Sequence, residues 1–448
     1  MTTVSAKIDY SYKRIWAIAF PILVSLVVEQ LIGLTDTAFM GRVGEVELGA
    51  SAIAGVFYLV IFMAGHGFCI GSQILIARRN GEQNYKAIGN IFYQSLFFLL
   101  ALASVLFTAV QLFADDILSL IISSPNVLEK AEAYLEWRVY GFFFAFSCGI
   151  FRSFYVGTTM TKTLTINSIV MVLSNVVFNY ILVFGKLGFP AMGIAGAAIG
   201  SSLAECVSLI FFIVYTRRRI DFRKYRLEKV PKFQPQELKR ILNVSLWVMI
   251  QSVLSLATWF IFFVYIEHLG EQSLAITNIV RSLSGFLFMI IIAFASACSS
   301  LVSNMIGAGM ENEVRKVIRR HILLSYAIVI PLAVLLCAVP RLFIAIYTDI
   351  PQLIEASIMS VWVMSTSYLC QIPGQIYFQS VSGTGSTKQA FMLELTALTL
   401  YMIYTTILIH HMRVDVAWAW TSEHVYGTSM FLLCWMFIRS GRWRSRKI

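Results

Sequence analysis

Charged side chains are scarce in this chain of 448 residues. Asp, Glu, Lys and Arg make up only 13% of the sequence, while 58% of the residues are hydrophobic; a soluble domain has roughly 25% charged residues. So few charges are not enough to cover a surface that faces water, which excludes an ordinary soluble globular protein. The composition therefore predicts an integral membrane protein.

Cysteine is also used sparingly and without the spacing that its chemistry requires. None of the seven cysteines forms a Cys-x-x-Cys motif and all lie in apolar runs, so we expect neither a disulfide framework nor a cysteine metal site. No cleavable signal peptide is apparent, because the first apolar run is too long and lacks a cleavage-site flank. We expect that run to remain as the first transmembrane helix.

Long apolar segments are abundant. Twelve runs of about 20 residues predict an all-α membrane protein with twelve transmembrane helices. Several runs exceed the minimum length, so tilt or bending is expected. The predicted spans are 15–40, 51–77, 88–113, 135–157, 163–184, 193–216, 241–266, 274–306, 321–347, 358–383, 390–411 and 417–438.

The net charge of +11 is distributed unevenly between the two sides of the membrane. With the N-terminus in the cytoplasm, 27 Lys and Arg residues lie inside, six lie outside, and Arg152 and Arg281 lie in spans. The six outside are Arg42, Lys130, Arg138, Lys186, Arg341 and Arg413. By the positive-inside rule both termini are cytoplasmic, and we expect a bacterial plasma membrane. Topology explains the basic charge, so nucleic acid is not expected as a partner.

The chain repeats itself after a shift of 226 residues. This single shift aligns 44–48 with 270–274, 123–135 with 349–361 and "VGTTMTK" (156–162) with "SGTGSTK" (382–388). The repeat predicts an N-lobe of six helices at 1–216, a basic cytoplasmic linker at 217–240 and a C-lobe of six helices at 241–448. An even number of helices in each copy makes the lobes parallel, related by a pseudo-two-fold axis along the membrane normal.

Duplicated lobes with polar groups near mid-membrane are typical of secondary transporters, in which the substrate binds between the lobes. The chain lacks the G-x-x-x-x-G-K-[ST] motif of P-loop ATPases. We therefore expect an ion gradient or a partner to supply the energy, with no cofactor besides the coupling ion.

Five segments, in order, resemble the multidrug and toxic compound extrusion (MATE) transporters, and the likeness covers nearly the whole chain. They are "PILVSLVVEQLIGLTDTAFMGRVG" (21–44), "SQILIARRNGE" (72–82), "VGTTMTK", "SNVVFNYILVFG" (174–185) and "MGIAGAAIGSSLAE" (192–205). The resemblance implies export of organic cations or amphipathic drugs in exchange for Na⁺ or H⁺, by a functional monomer that contacts membrane lipids and is not an enzyme.

The resemblance also implies a cation site in the N-lobe. Asp36 matches the coupling aspartate of the first helix, and Asn175 and Asn179 match helix 5 residues that contribute to the site. Many relatives carry Asp at the second position, so Asn179 leaves Asp36 to carry more of the coupling. The C-lobe site of another branch of the family needs acids on the seventh and tenth transmembrane helices. Here the seventh predicted span (241–266) has no acid, and the matching position in the tenth (358–383) is Gln371. We expect no C-lobe cation site of that type.

Depth along each span supports this site independently of the resemblance. At 1.5 Å of rise per residue, Asp36 and Asn179 lie about 9 Å below the outer boundary, with Ser201 and Ser202 slightly deeper. Carboxylate and amide oxygens suit Na⁺, and a desolvated carboxyl group suits H⁺ carriage, so both ions stay open. The alternative is that the asparagines only tie helices together through hydrogen bonds.

Two further acids, Glu29 and Glu205, fall at mid-membrane height. We interpret them either as cavity or proton-carrying groups or as neutral groups hydrogen-bonded within the lobe. Pro21, in the first helix, removes one backbone hydrogen bond and so permits a kink. The roles of Arg152, Arg281, Glu394 and His66 stay open, although a structural anchor fits Arg152 best.

Two rival functions compete with drug export. A lipid-linked oligosaccharide flippase of the same superfamily needs a cationic cavity for pyrophosphate, for which the spans offer only Arg152 and Arg281. A membrane-embedded enzyme needs a cluster of His, Asp or Cys, and His410, His411 and Asp415 are the only hint.

Overall fold

The computed structural model describes residues 8–444 and Ile448, and in this part of the chain every regular element is helical. The α-helices are α1 (Tyr12–Val43), α2 (Glu45–Gly81), α3 (Tyr85–Ile121), α4 (Pro125–Arg138), α5 (Gly141–Gly157), α6 (Lys162–Phe184), α7 (Gly193–Arg219), α8 (Pro235–Glu267), α9 (Glu271–Gly307), α10 (Val314–Ala338), α11 (Pro340–Ile344), α12 (Pro351–Gly383), α13 (Thr387–Thr405), α14 (Val416–Ala419) and α15 (Ser422–Ser440). A turn of 3-10 helix precedes α10 at Glu311–Glu313, and a turn of π-helix follows α13 at Thr406–His411.

The helices confirm an all-α membrane protein. Within the described residues, ten are long and apolar enough to cross a membrane, and α4 with α5 makes an eleventh span if the bent pair is counted as one. The remaining long helix is α15, with 19 residues. The sequence placed the fourth span at 135–157, whereas the helical pair begins at Pro125 and bends by 50°. The first half of this pair, α4, contains several acids, so it does not form an apolar run in the sequence.

The repeat is visible in the backbone. The shift of 226 residues carries the bounds of α2, Glu45–Gly81, onto those of α9, Glu271–Gly307. It also relates positions at which φ is positive, a conformation that most L-residues avoid. These pairs are Gln83 (φ 57°) with Gly309 (73°), Thr159 (61°) with Gly385 (85°), and Leu187 (55°) with Arg413 (47°). Both copies therefore turn the chain in the same way at the same places.

By packing, the chain divides into two compact units. One unit is Val24–Met249, and the other consists of the described residues before Val24 and after Met249. Helix α1 thus contributes to both, and Pro21 lies within it just before the division. The kink at Pro21 and the lobe limits 1–216, 217–240 and 241–448 stay predictions, and residues 1–7 and 445–447 of those lobes lie outside the described residues.

The basic linker between α7 and α8 is held against α3 by hydrogen bonds. The Tyr93 hydroxyl donates to the Leu227 carbonyl (2.6 Å), and the Gln94 side chain donates to the Lys232 carbonyl (2.9 Å) and accepts from the Gln234 amide (2.9 Å). Buried Gln94 thereby satisfies both its donor and its acceptor. The linker is a docked segment whose path is set by α3.

Close contact between α2 and α8 depends on glycine. A Cβ atom on Gly67 would lie 2.6 Å from the Met249 Cα and 2.8 Å from the Val248 carbonyl oxygen. Both are backbone atoms, so rotation of a side chain does not relieve the overlap.

We predict that Gly67→Ala destabilises the protein by about 1–3 kcal/mol, because overpacking forces backbone shifts. Gly55→Ala, on the same helix with nothing within 4 Å of the added Cβ, is the matched control and is expected to be neutral or slightly stabilising through helix propensity. Thermal unfolding in detergent measures both changes. Equal melting temperatures for the two variants contradict the prediction.

Candidate functional site

A cluster of buried polar side chains joins α1, α6 and α7 within the unit Val24–Met249. Asn175 and Asn179 lie one turn apart on α6, so both project from one face, and both are fully buried. The Asn179 amide donates to Asp36 Oδ1 (2.5 Å) and to Asn175 Oδ1 (3.3 Å), while the Ser201 hydroxyl donates to Asp36 Oδ2 (3.2 Å). The Asn175 amide in turn donates to the Ser201 hydroxyl (3.1 Å).

The Asp36 carboxyl group is stabilised by dipoles and not by an ion pair. Each of its oxygens accepts a hydrogen bond, yet among the described residues no Lys, Arg or His nitrogen lies within ion-pair distance of it. Asn179 Oδ1 is buried without a hydrogen-bond partner. A cation or a proton is the species that such a carboxyl group lacks.

The residues present fit Na⁺ as well as H⁺. Asp36, Asn175, Asn179 and Ser201 offer only oxygen acceptors to a cation, and the unpartnered Asn179 Oδ1 leaves one of them free. Gly200 on α7 lies against this oxygen, and a Cβ at that position would overlap it. The four residues that the sequence places at one depth are thus in contact, and their role in coupling stays a prediction. Ser202 lies outside the cluster and donates to the Ala198 carbonyl (3.0 Å).

Glu205 is paired with an arginine that the sequence analysis placed outside the membrane. Arg138, at the end of α4, donates two hydrogen bonds to the Glu205 carboxylate, at 2.6 and 3.0 Å, and its guanidinium lies 4.0 Å from the centre of the Tyr58 ring. The Arg138 side chain is only 11% exposed. The bent pair α4–α5 brings Arg138 to the Glu205 carboxylate, and the side of the membrane on which Arg138 lies stays a prediction.

Glu29 is paired as well. Its carboxylate accepts hydrogen bonds from Ser25 (2.8 Å), one turn earlier on α1, and from Arg152, and Ser168 adds a longer contact of 3.4 Å. Arg152 also donates to the Ser25 hydroxyl (3.2 Å). Arg152 therefore anchors α5 to α1, and a cavity or proton-carrying role for Glu29 and Glu205 stays a prediction.

The other half carries the same serine–glutamate contact with the partners exchanged. Under the shift of 226 residues Glu29 corresponds to Ser255 and Ser168 to Glu394, and the Ser255 hydroxyl donates to Glu394 Oε1 (2.6 Å). Tyr426 donates to the same oxygen (3.2 Å), whereas Glu394 Oε2 is buried without a partner. The counterpart of Arg152 is Phe378, so Glu394 has no arginine at the equivalent place.

Two aromatic residues and a threonine replace three residues of the Asp36 cluster in the second copy. The shift relates Asp36 to Phe262, Asn175 to Tyr401 and Asn179 to Thr405. Phe262 is fully buried and packs against Trp420, with ring centres 5.4 Å apart. The polar cluster is therefore a feature of one copy only.

One acid, Glu423, is not among the site residues predicted from the sequence. Glu423, at the start of α15, accepts a hydrogen bond from the Gln371 amide (2.6 Å), so an acid contacts Gln371 from another helix, and the absence of a C-lobe cation site stays a prediction. The signal was present, because Glu423 falls inside the predicted span 417–438. Its pairing with Gln371 depends on the packing of α12 against α15, and the sequence of neither helix shows that packing.

Two residues whose roles the sequence left open lie beside aromatic rings. The Arg281 guanidinium is 5.9 Å from the Trp259 ring centre and 5.6 Å from that of Phe263. The His66 ring stacks on Phe62 with ring centres 6.0 Å apart. Both contacts are of the kind that stabilises packing.

A multi-spanning helical bundle with a duplicated fold and a polar cluster around a carboxyl group is typical of membrane transporters. The model of the MatE family matches residues 21–181 and 234–407, and the chain belongs to this family, the multidrug and toxic compound extrusion family of the resemblance above.

Known proteins agree with this assignment. The chain is 23% identical to a probable multidrug resistance protein NorM of Thermotoga maritima, over 97% of this chain and 94% of the relative. It is 25% identical to a NorM protein of Agrobacterium fabrum, over 93% and 88% of the two chains. The structure of a MATE transporter of Vibrio cholerae superposes with a TM-score of 0.89 at 14% identity, covering 97% of this chain and 98% of the other. This likeness confirms the twelve-helix fold.

We predict that Glu205→Gln destabilises the protein by on the order of 3 kcal/mol, because it leaves the Arg138 guanidinium buried without a counter-charge. The matched control is Glu355→Gln in the exposed pair Arg341–Glu355, which has the same two-bond geometry (2.7 and 3.1 Å). An exposed pair contributes about 0–1 kcal/mol. Thermal unfolding compares the two variants, and a similar loss in both refutes the structural role of Arg138–Glu205.

Proposed function

We propose that this protein is a secondary antiporter that exports cationic or amphipathic organic compounds across a bacterial plasma membrane. Inward flow of Na⁺ or H⁺ drives the export, and both termini face the cytoplasm. The named relatives are multidrug resistance proteins, which supports the substrate class. The protein acts as a monomer in this proposal.

The single observation that carries the proposal is the Asp36 carboxyl group, bound by an amide and a hydroxyl and lacking a basic partner among the described residues. A fixed Arg or Lys at this place keeps the local charge constant. Without one, the charge at Asp36 changes whenever a cation or proton enters or leaves.

Such a change in charge is the element that coupling requires. A bound ion shifts a conformational equilibrium only if it has different affinities for the two states. Asp36 and the two residues that donate to it lie on three helices, so relative movement of α1, α6 and α7 changes the number of oxygens that a cation contacts. The ion is therefore bound more tightly in one state, and its release permits the other.

Two acids are unsuited to this task in their present contacts. Glu29 and Glu205 each face an arginine, and an added cation competes with that guanidinium. Among the acids predicted in the first copy, only Asp36 lacks such a competitor, which makes it the coupling carboxylate.

The flippase alternative finds less support. The two arginines in the predicted spans, the candidates for pyrophosphate binding, have other contacts: Arg152 pairs with Glu29, and Arg281 lies beside Trp259 and Phe263. The geometry favours recognition of positive charge.

We predict that Asp36→Asn abolishes gradient-driven export while leaving drug binding measurable. Asparagine keeps the size and hydrogen-bonding capacity but removes the charge that a cation neutralises. Purified variants in proteoliposomes are tested for ethidium efflux under separately imposed Na⁺ and H⁺ gradients, and ethidium binding is followed by fluorescence. Glu423→Gln is the matched control, since Glu423 is also a carboxyl group bound by a carboxamide.

The outcomes separate the alternatives clearly. Loss of coupling in Asp36→Asn alone supports the proposal, and the gradient that drives wild-type efflux identifies the ion. Gradient-driven export by Asp36→Asn at the wild-type rate contradicts the proposal and makes Glu29 the next candidate for the coupling carboxylate. Lipid-linked sugar transport without a response to either gradient reverses the choice in favour of a flippase.

We further predict that Gln371→Ala leaves ion coupling largely intact, although it removes the hydrogen bond to Glu423. Coupling is assigned to the copy that holds Asp36, and the equivalent position in the second copy is the buried Phe262. The Na⁺ or H⁺ dependence of efflux at constant protein content measures the effect. Loss of the ion dependence with normal expression contradicts the asymmetry between the copies.

A further inference from the structure

A long groove lies on the surface formed by α10, α12 and α15, outside the site described above. It encloses about 670 Å³. Its walls are mainly apolar and aromatic, and two arginines, Arg315 and Arg319, lie among its lining residues. We call it the α10–α12–α15 groove. Two of its leucines, Leu369 and Leu432, are 55% and 47% exposed, as expected of a surface that faces hydrocarbon.

The groove has the length of one membrane leaflet. Its lining residues on α10 run from Arg315 to Tyr326. Eleven positions separate these two residues, which corresponds to about 16 Å at 1.5 Å per residue. The hydrocarbon core of a bilayer is about 30 Å thick, so the groove spans roughly half of it. The arginines lie at the end that the positive-inside rule assigns to the cytoplasm.

Positive charge at this end is not paired with a carboxylate of the described residues. The Arg315 guanidinium donates to the Arg439 backbone carbonyl (2.8 Å), and the Arg439 guanidinium lies 5.1 Å from the Trp435 ring centre. In residues 8–444, no carboxylate lies within ion-pair distance of Arg315, Arg319 or Arg439. Three guanidinium groups thus collect at the mouth of an apolar groove.

The wall of the groove is held in place by a hydrogen bond between α10 and α12. Pro373 on α12 has no N–H, so the carbonyl of Leu369, four residues earlier, loses its partner in the helix. The Tyr326 hydroxyl of α10 donates to this carbonyl (2.6 Å). This bond ties α10 to α12 and fixes the position of three lining residues, which lowers the entropic cost of binding.

We propose that the α10–α12–α15 groove binds an anionic phospholipid of the cytoplasmic leaflet. Arginine matches phosphate oxygens through paired hydrogen bonds, and basic pockets between transmembrane helices on the cytoplasmic side bind acidic headgroups. An acyl chain of one leaflet fills the apolar length of the groove. An exported cation is disfavoured here, because the arginines repel it. The proposal is independent of the coupling role of Asp36.

The test is lipid binding to the full-length protein in detergent, with phosphatidylglycerol as the anionic probe and phosphatidylcholine as the zwitterionic control. Lipids brominated on the acyl chain report occupancy by quenching tryptophan fluorescence, and native mass spectrometry counts the lipids retained. We expect phosphatidylglycerol to be retained and phosphatidylcholine to bind much more weakly.

Two variants examine the two parts of the groove. Arg315→Gln with Arg319→Gln is expected to weaken phosphatidylglycerol binding at least tenfold, since it removes charged hydrogen bonds. Leu432→Trp, at an exposed position, is expected to displace the acyl chain and so to reduce binding of the same lipid. The matched control is Arg217→Gln with Arg218→Gln, an equal loss of charge on exposed residues at the same side of the membrane but outside the groove.

Three results overturn the proposal. Equal retention of both lipids shows that headgroup charge is irrelevant. An equal loss of binding in the Arg217/Arg218 control shows a general effect of surface charge. Displacement of the lipid by ethidium, with Leu432→Trp impairing ethidium binding and not lipid binding, assigns the groove to the exported compound. None of these readouts depends on transport, so failure here is distinguishable from failure of the coupling assignment.

Discussion

A carboxyl group in the interior of a membrane protein has to be stabilised by groups that the protein itself supplies. Water is largely absent there, and an unpaired charge is costly. The protein meets this constraint at Asp36 with an amide and a hydroxyl, which donate hydrogen bonds without cancelling the charge. Much of the first unit serves this arrangement: α6 presents two asparagines on one face, and Gly200 lets α7 approach the amide of Asn179.

Glu29 and Glu205 differ from Asp36 because each is paired with an arginine. Both acids are held by arginines, in pairs that join α1 to α5 and α4 to α7. Removing one member of such a pair is costly because the other charge is left behind. These pairs therefore stabilise the scaffold around Asp36, whose charge changes with the bound ion in the mechanism that we propose.

The two copies of the repeat share their turns but have diverged in side chains. Positive φ angles recur at equivalent turns, whereas the bent pair α4–α5 corresponds to the single helix α12. At the position of Asp36 the second copy has Phe262, and its acids, Glu394 and Glu423, are bound by hydroxyl and amide groups from other positions. The different buried groups are the basis of our proposal that only the first copy binds the driving ion.

The sequence by itself determined the helices, the repeat and the depth of Asp36, Asn179 and Ser201. Apolar runs report helices because the bilayer requires every backbone group to be paired within its own segment. Depth follows from position because the rise of a helix is constant. Only the tertiary structure decided which side chains meet: Arg138 with Glu205, Gln371 with Glu423, and Tyr326 with the carbonyl freed by Pro373. Those contacts depend on the rotation and bending of helices distant in sequence, and the sequence pattern of a single helix carries no information about its neighbour.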